Sequence, residues 1–233
     1  MGGLGPAATA YFYSLVTKMT NAQREQNHLE LLIYSKPSIP DRTEFILDQC
    51  KENPLYPMLE AGKTLTSQGA DLIAIPCITA HYFYEQLVKE IKIPIIHVIK
   101  ETVQYLKEHR IQSVGVMATN GTIGSKLIQN ELERNKITIK LPSKEKQKFT
   151  MDIIYDNVKA CRPLEMEKFY EVSEELKREG AEVILLACSE LSIIKGMRNI
   201  GSGFLDMMEV LAMRSVLLCE GELKEEYRSL ISK

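Results

Sequence analysis

Six short apolar runs are spread along the chain: LELLIYS (29–35), DLIAIP (71–76), IPIIHVI (93–99), SVGVMA (113–118), ITIKL (137–141) and EVILLA (182–187). A strand with one wet face alternates apolar and polar residues, whereas a strand covered on both faces does not. Most of these runs are continuous, which predicts parallel strands buried between helices. The stretches between them carry the helical period. Phe83, Leu87 and Ile91 fall four apart; Ile123, Leu127 and Ile128 share one face, and Met166, Phe169, Tyr170 and Leu176 share another. Strands alternating with helices imply βαβ units and a doubly wound α/β architecture.

Two of the runs repeat a longer pattern. GADLIAIPC (69–77) and GAEVILLAC (180–188) both open with Gly-Ala-acid and place a cysteine eight residues after the glycine, with Thr79 or Ser189 close behind. The pattern predicts two similar α/β domains with mostly parallel sheets, one of residues 1–97 plus 206–233 and one of residues 98–205. The last helical stretch (204–219) would return to the first domain. Ligand sites in α/β sheets form beyond the carboxyl ends of the strands, where both cysteines fall. A following helix N-terminus carries partial positive charge and lowers a thiol's pKa. If the halves face each other, Cys77 and Cys188 face each other across a cleft. Taking a proton from one face of a carbon and returning one to the other face needs such a pair, one thiolate and one thiol.

Composition narrows the alternatives. A net charge of −2 with both signs interspersed gives no reason to expect nucleic acid or a membrane surface as partner. No apolar run reaches the ~18 residues of a membrane span, and Met1 leads straight into Gly-Gly-Leu-Gly-Pro without signal-peptide regions. The five cysteines are odd in number and lack metal-ligand spacing, which argues against a disulfide framework or metal site and for a reducing cytoplasm. No lysine stands in a context that suggests a pyridoxal Schiff base, so no cofactor is expected.

Four segments together are similar to the aspartate/glutamate racemase family, nearer its aspartate racemase branch: GGLGPAAT (2–9), SKPSIPDRT (35–43), PCITAH (76–81) and ACSE (187–190). ATNGT (118–122) fits the family's Thr-containing loop. The resemblance implies Cys77 and Cys188 as catalytic thiols, Arg42 and Lys159 as contacts to a dicarboxylic amino acid, and a homodimer. It also implies hydroxyl donors at Thr79, Ser189, Thr119 and Thr122, and close backbone approach at Gly2, Gly3 and Gly5. His81 and Glu190 are candidates for tuning the thiols. Cys50, Cys161 and Cys219, with His28, His97 and His109, are read as having no catalytic part.

Three departures stand out. The family's Asn after the first cysteine is Ile78 here, and its Gly-Cys-Thr-Glu is Ala187-Cys188-Ser189-Glu190. The family's first strand, ahead of the Gly-Gly turn, has no counterpart because Met1 abuts Gly2, so the expectation is a start short of the natural one. The leading expectation is a cofactor-independent aspartate or glutamate racemase. The alternatives are an isomerase or racemase for another small acid, with Ile78 reshaping the pocket, and a non-catalytic ligand-binding protein. A cysteine hydrolase is weaker, because no histidine is placed by sequence as partner to either thiol.

Overall fold

The second half is organised by a parallel sheet. In a computed structural model describing residues 1–233, β1 (Ser113–Met117), β2 (Thr138–Lys140), β3 (Val183–Leu186) and β4 (Phe204–Asp206) lie in the order β2-β1-β3-β4, every neighbour parallel. The register sets Val116 opposite Leu185, and Leu185 opposite Leu205. Side chains alternate across a sheet, so Val114, Val116, Val183, Leu185 and Leu205 enter one core, while Met117, Ile184, Leu186 and Phe204 enter another. Burial on both faces is the reason these strands are unbroken apolar runs. Residues 204–206 correct the sequence expectation, which gave them to the final helix. Asp206 stops the strand and starts that helix, accepting the N–H of Met208 at 2.8 Å and the hydroxyl of Ser192 at 2.6 Å.

Helices in the first half are α1 (Pro6–Met19), α2 (Arg42–Leu47), α3 (Leu55–Ser67), α4 (Tyr84–Glu90) and α5 (Val98–Glu108). Those in the second are α6 (Asn120–Gly124), α7 (Leu127–Arg134), α8 (Lys144–Met151), α9 (Met166–Arg178), α10 (Ser189–Met197) and α11 (Met207–Leu218). The three runs expected as strands in the first half are extended chain held by single parallel bridges, Gly2 to Ser35 and Ile73 to Ile95. Each makes a single bridge rather than a ladder. The core of the chain joins both halves: Val16, Met19, Val98 and Leu106 pack with Val114, Val183 and Leu211, and α11 lies against α1 and α5. No helix is long and apolar enough to cross a membrane.

The sequence repeat has a backbone cause. Gly69 and Gly180 follow α3 and α9 with φ of +89° and +92°, the left-handed conformation that ends a helix and that glycine adopts without strain. Ala70 then donates to Leu65 O, and Ala181 to Leu176 O, both at 3.1 Å. The next six residues run to the carboxyl edge, where a cysteine stands before a new helix in each half.

Candidate active site

Cys77 and Cys188 are free, 6% exposed each, and line one small cavity between the halves. Leu4, Asp41, Arg42, Thr43, Ile78 and Thr79 complete its wall from the first half. Thr119, Lys159, Ser189 and Glu190 complete it from the second. Its volume is about 20 Å³, room for one water. Four threonines close the cleft above it. Thr79 Oγ1 lies 2.9 Å from Thr122 Oγ1 and 3.3 Å from Thr119 Oγ1, and the Thr43 hydroxyl donates to Thr119 Oγ1 at 3.1 Å. Thr119 also caps α6 by accepting the N–H of Thr122.

The two sulfurs have opposite electrostatic surroundings. Cys188 Sγ donates to Glu190 Oε2 at 2.9 Å, and the Ser189 hydroxyl donates to the same oxygen at 3.0 Å. Burial, and then the Glu190 carboxylate, push the Cys188 thiol well above the ordinary thiol range. Cys77 faces a cation instead. Burial works to lower the Arg42 pKa, but Cys77 and Asp41 outweigh it and hold the guanidinium above its usual value. Arg42 is 8% exposed; Nη1 donates to Ile39 O and Pro40 O, Nη2 donates to Leu4 O at 2.6 Å, and Nε is buried without a partner. The guanidinium therefore ties the 4–5 turn to the 39–40 loop while it faces the sulfur.

Lys159 reaches the cavity from the end of a π-helical segment, Asp152–Lys159, that continues α8. Its ammonium pairs with Asp41 at 3.2 Å and lies 3.7 Å from the centre of the Tyr155 ring. Burial alone would lower its pKa; Asp41 and then Tyr155 hold it above the ordinary range. For Asp41, burial would raise the carboxyl, and Lys159 with the N–H of Glu44 brings it below its usual value. Asp41 also accepts from Thr43 N and Glu44 N, capping α2, and from the Tyr155 hydroxyl. This aspartate, with Thr43 and Leu4, was missed by sequence reasoning, although Asp41 and Thr43 stand on either side of Arg42 in the quoted segment.

Other expected residues stand behind the wall. Thr122 is fully buried under Thr79, and Gly5 is the cap position of α1, with Leu4 reaching the cavity instead. Ile78 lines the cavity and also belongs to the main core, 1% exposed. His81 Nδ1 lies 3.1 Å from Cys77 O and Nε2 lies 3.4 Å from Val98 N. A neutral ring protonated on Nδ1 satisfies both, and burial lowers its pKa. The ring clips the cysteine turn to the start of α5. Cys50, Cys161 and Cys219 are exposed and away from the cavity, and the described groups of His, Cys, Asp and Glu include none arranged to hold a metal.

A family model described as Asp/Glu/Hydantoin racemase matches residues 1–214. Among solved structures, the aspartate racemase of Picrophilus torridus is 30% identical, with a TM-score of 0.84, covering 97% of this chain and 95% of that one. The glutamate racemase of Campylobacter jejuni shares the fold at 17% identity, with a TM-score of 0.59, covering 96% of this chain and 85% of that one. The Bacillus subtilis protein named broad specificity amino-acid racemase RacX is 24% identical over 200 residues, 83% of this chain and 85% of its own. The chain belongs to the Asp/Glu/hydantoin racemase family and is an isomerase of the amino-acid racemase class.

Proposed function

We propose that the protein interconverts the L and D forms of aspartate without a cofactor, through Cys77 and Cys188. The observation that carries this reading is the pair of buried free thiols at matched strand ends, opening on one cavity, with a guanidinium beside one and a carboxylate beside the other. Cys77, facing Arg42, takes the α-proton from one face and becomes a thiol. Cys188, held protonated by burial and Glu190, gives its proton to the opposite face and becomes a thiolate, and the carbon is inverted. Lys159 lies near the cavity side of Cys188 and is among the groups that favour its charged form, so it offsets the charge left there.

A cavity of about 20 Å³ is too small for an amino acid, so the cleft opens to admit it. The Lys159–Asp41 pair spans the cleft, and an amino acid offers it a matching exchange, carboxylate to Lys159 and ammonium to Asp41. Arg42, engaged with three backbone carbonyls, holds the Cys77 side of the site and has its Nε left for a second carboxylate. Thr79, Thr119 and Ser189 add hydroxyl donors. Aspartate is supported by the 30% identical Picrophilus torridus aspartate racemase. A broader amino-acid range is the second reading, favoured by apolar Ile78 on the wall and by the relative named for broad specificity. Incubation with single L-amino acids in heavy water separates them. The first reading predicts D-isomer and α-deuterium with aspartate above all others, and comparable rates on neutral amino acids would replace it with the second.

A further inference from the structure

Each of the two cavity cysteines is followed four residues later by a side chain that reaches back to its own carbonyl. In the first half this is His81, whose Nδ1 lies 3.1 Å from Cys77 O. In the second it is Ser192, whose hydroxyl lies 3.4 Å from Cys188 O. Both residues are buried, and each is held from behind by the end of the next extended segment and the start of the helix after it. His81 Nε2 meets Ile96 O at 3.3 Å and Val98 N at 3.4 Å, where α5 begins. The Ser192 hydroxyl donates to Asp206 Oδ1 at 2.6 Å, and the same oxygen accepts the Met208 N–H at 2.8 Å, where α11 begins.

Asp206 grips both flanks of Cys188. Its backbone stands opposite Leu186, two residues before the cysteine, in the β3–β4 ladder. Its side chain holds Ser192, four residues after the cysteine, in the first turns of α10. The same stretch of α10 carries Ser189 and Glu190, and Glu190 accepts the proton of the Cys188 sulfur. Capping α11 does not by itself call for a carboxylate, since serine or asparagine caps a helix as well. Burial raises the Asp206 pKa, and Oδ2 is buried without a partner, so a carboxylate is costly in this place. What it adds over a plain cap is a short, charge-assisted bond to Ser192.

We propose that Asp206, acting through Ser192, is the positioning residue of Cys188: the pair fixes the turn from β3 into α10, so that the sulfur stays on Glu190 at the cavity wall. It is the second half's counterpart of the His81 tie, built from different side chains on the same spacing. The consequence for the reaction is one-sided. Loosening this turn displaces one sulfur and leaves Cys77, Arg42 and the Lys159–Asp41 pair where they are. The proposal rests on the two-thiol reading of the site.

The test compares Ser192→Ala and Asp206→Ala with the parent and with Ser173→Ala, which removes another buried serine, from α9. Three quantities are measured: aspartate racemisation, α-deuterium washout from each enantiomer, and the iodoacetamide alkylation rate of each cysteine, read by peptide mass spectrometry. The positioning pair predicts that Ser192→Ala slows racemisation roughly 10- to 100-fold while washout persists from the enantiomer that Cys77 deprotonates. Released from Glu190, Cys188 should be alkylated about tenfold faster relative to Cys77. Asp206→Ala should do the same, and the double variant should be no worse than either, as for groups that act as a unit. Ser173→Ala should do none of this. Unchanged racemisation in Ser192→Ala overturns the proposal, and so does a single alkylation factor shared by both cysteines, the mark of a general loss of stability. Ser192→Ala decides alone if Asp206→Ala does not fold. A parent that moves no α-hydrogen of aspartate would sink the two-thiol reading instead, and the Cys188-to-Cys77 alkylation ratio would still decide whether the pair holds the sulfur.

Discussion

At the scale of single residues the reading turns on what sits beside each sulfur. Glu190 raises the Cys188 thiol, and Cys188 must be protonated to act as acid. Activity therefore falls as pH rises through the Cys188 pKa. Glu190→Gln keeps an acceptor for Ser189 but removes the charge, so the Cys188 pKa falls and the alkaline limb of the kcat profile moves to lower pH. An alkaline limb that stays in place removes Cys188 from the acid role. The cysteines were legible because their spacing from a helix-ending glycine repeats. Asp41 was not, because its part depends on Lys159, 118 residues away in sequence, and on the turn of a π-helical segment that no local pattern announces. Ile78 is likewise two things at once, a wall of the cavity and a core residue, and only the packing reveals the second.

At the scale of elements, helix stop, strand, cysteine and helix start form one repeated device. Gly69 and Gly180 have open space where a Cβ would stand, so alanine there meets backbone strain and no clash. Left-handed backbone costs an L-residue about 1–2 kcal/mol. Gly69→Ala and Gly180→Ala should each lower the melting temperature by roughly 2–8 °C in a chain of this size. Gly5→Ala, at φ −117° and also with open space, should leave it nearly unchanged. Equal effects at all three positions would remove the special role of the two helix ends. The strands of the second half were readable from composition because helices cover both faces. The 29–35 and 71–76 runs are similarly apolar, yet each makes only a single bridge, and how many bonds a strand makes with its neighbour is a property of the fold rather than of the run. β4 was hidden for another reason: two apolar residues, Phe204 and Leu205, lead directly into an apolar helix, and only the Asp206 cap divides them.

At the scale of the whole molecule, the join of the two halves holds a buried acidic pair. Asp206 is fully buried, and Glu209 pairs with Lys195 at 2.7 Å. Burial, and then Asp206, raise the Glu209 carboxyl to about 7. A carboxyl raised in the folded state binds protons there that the unfolded chain has already lost. The folded form is thus favoured at low pH, and this share of stability is lost as pH rises from about 4.5 to about 7. Measured against Glu209→Gln, the parent should lose on the order of 1–3 kcal/mol across that window and run parallel to the variant above it. Parallel curves throughout would show that Glu209 titrates normally.

The most direct test of the central claim is α-hydrogen exchange with the two cysteines replaced one at a time. L-aspartate and D-aspartate are each incubated in heavy water with the parent, Cys77→Ser and Cys188→Ser, and deuterium is read separately in substrate and product. The two-thiol account predicts that the parent racemises both enantiomers. Each variant loses racemisation by ~10²–10⁴-fold, and each retains washout from only one enantiomer, the opposite one in the two variants. Full racemisation by either variant, or the same enantiomer exchanged by both, would contradict it.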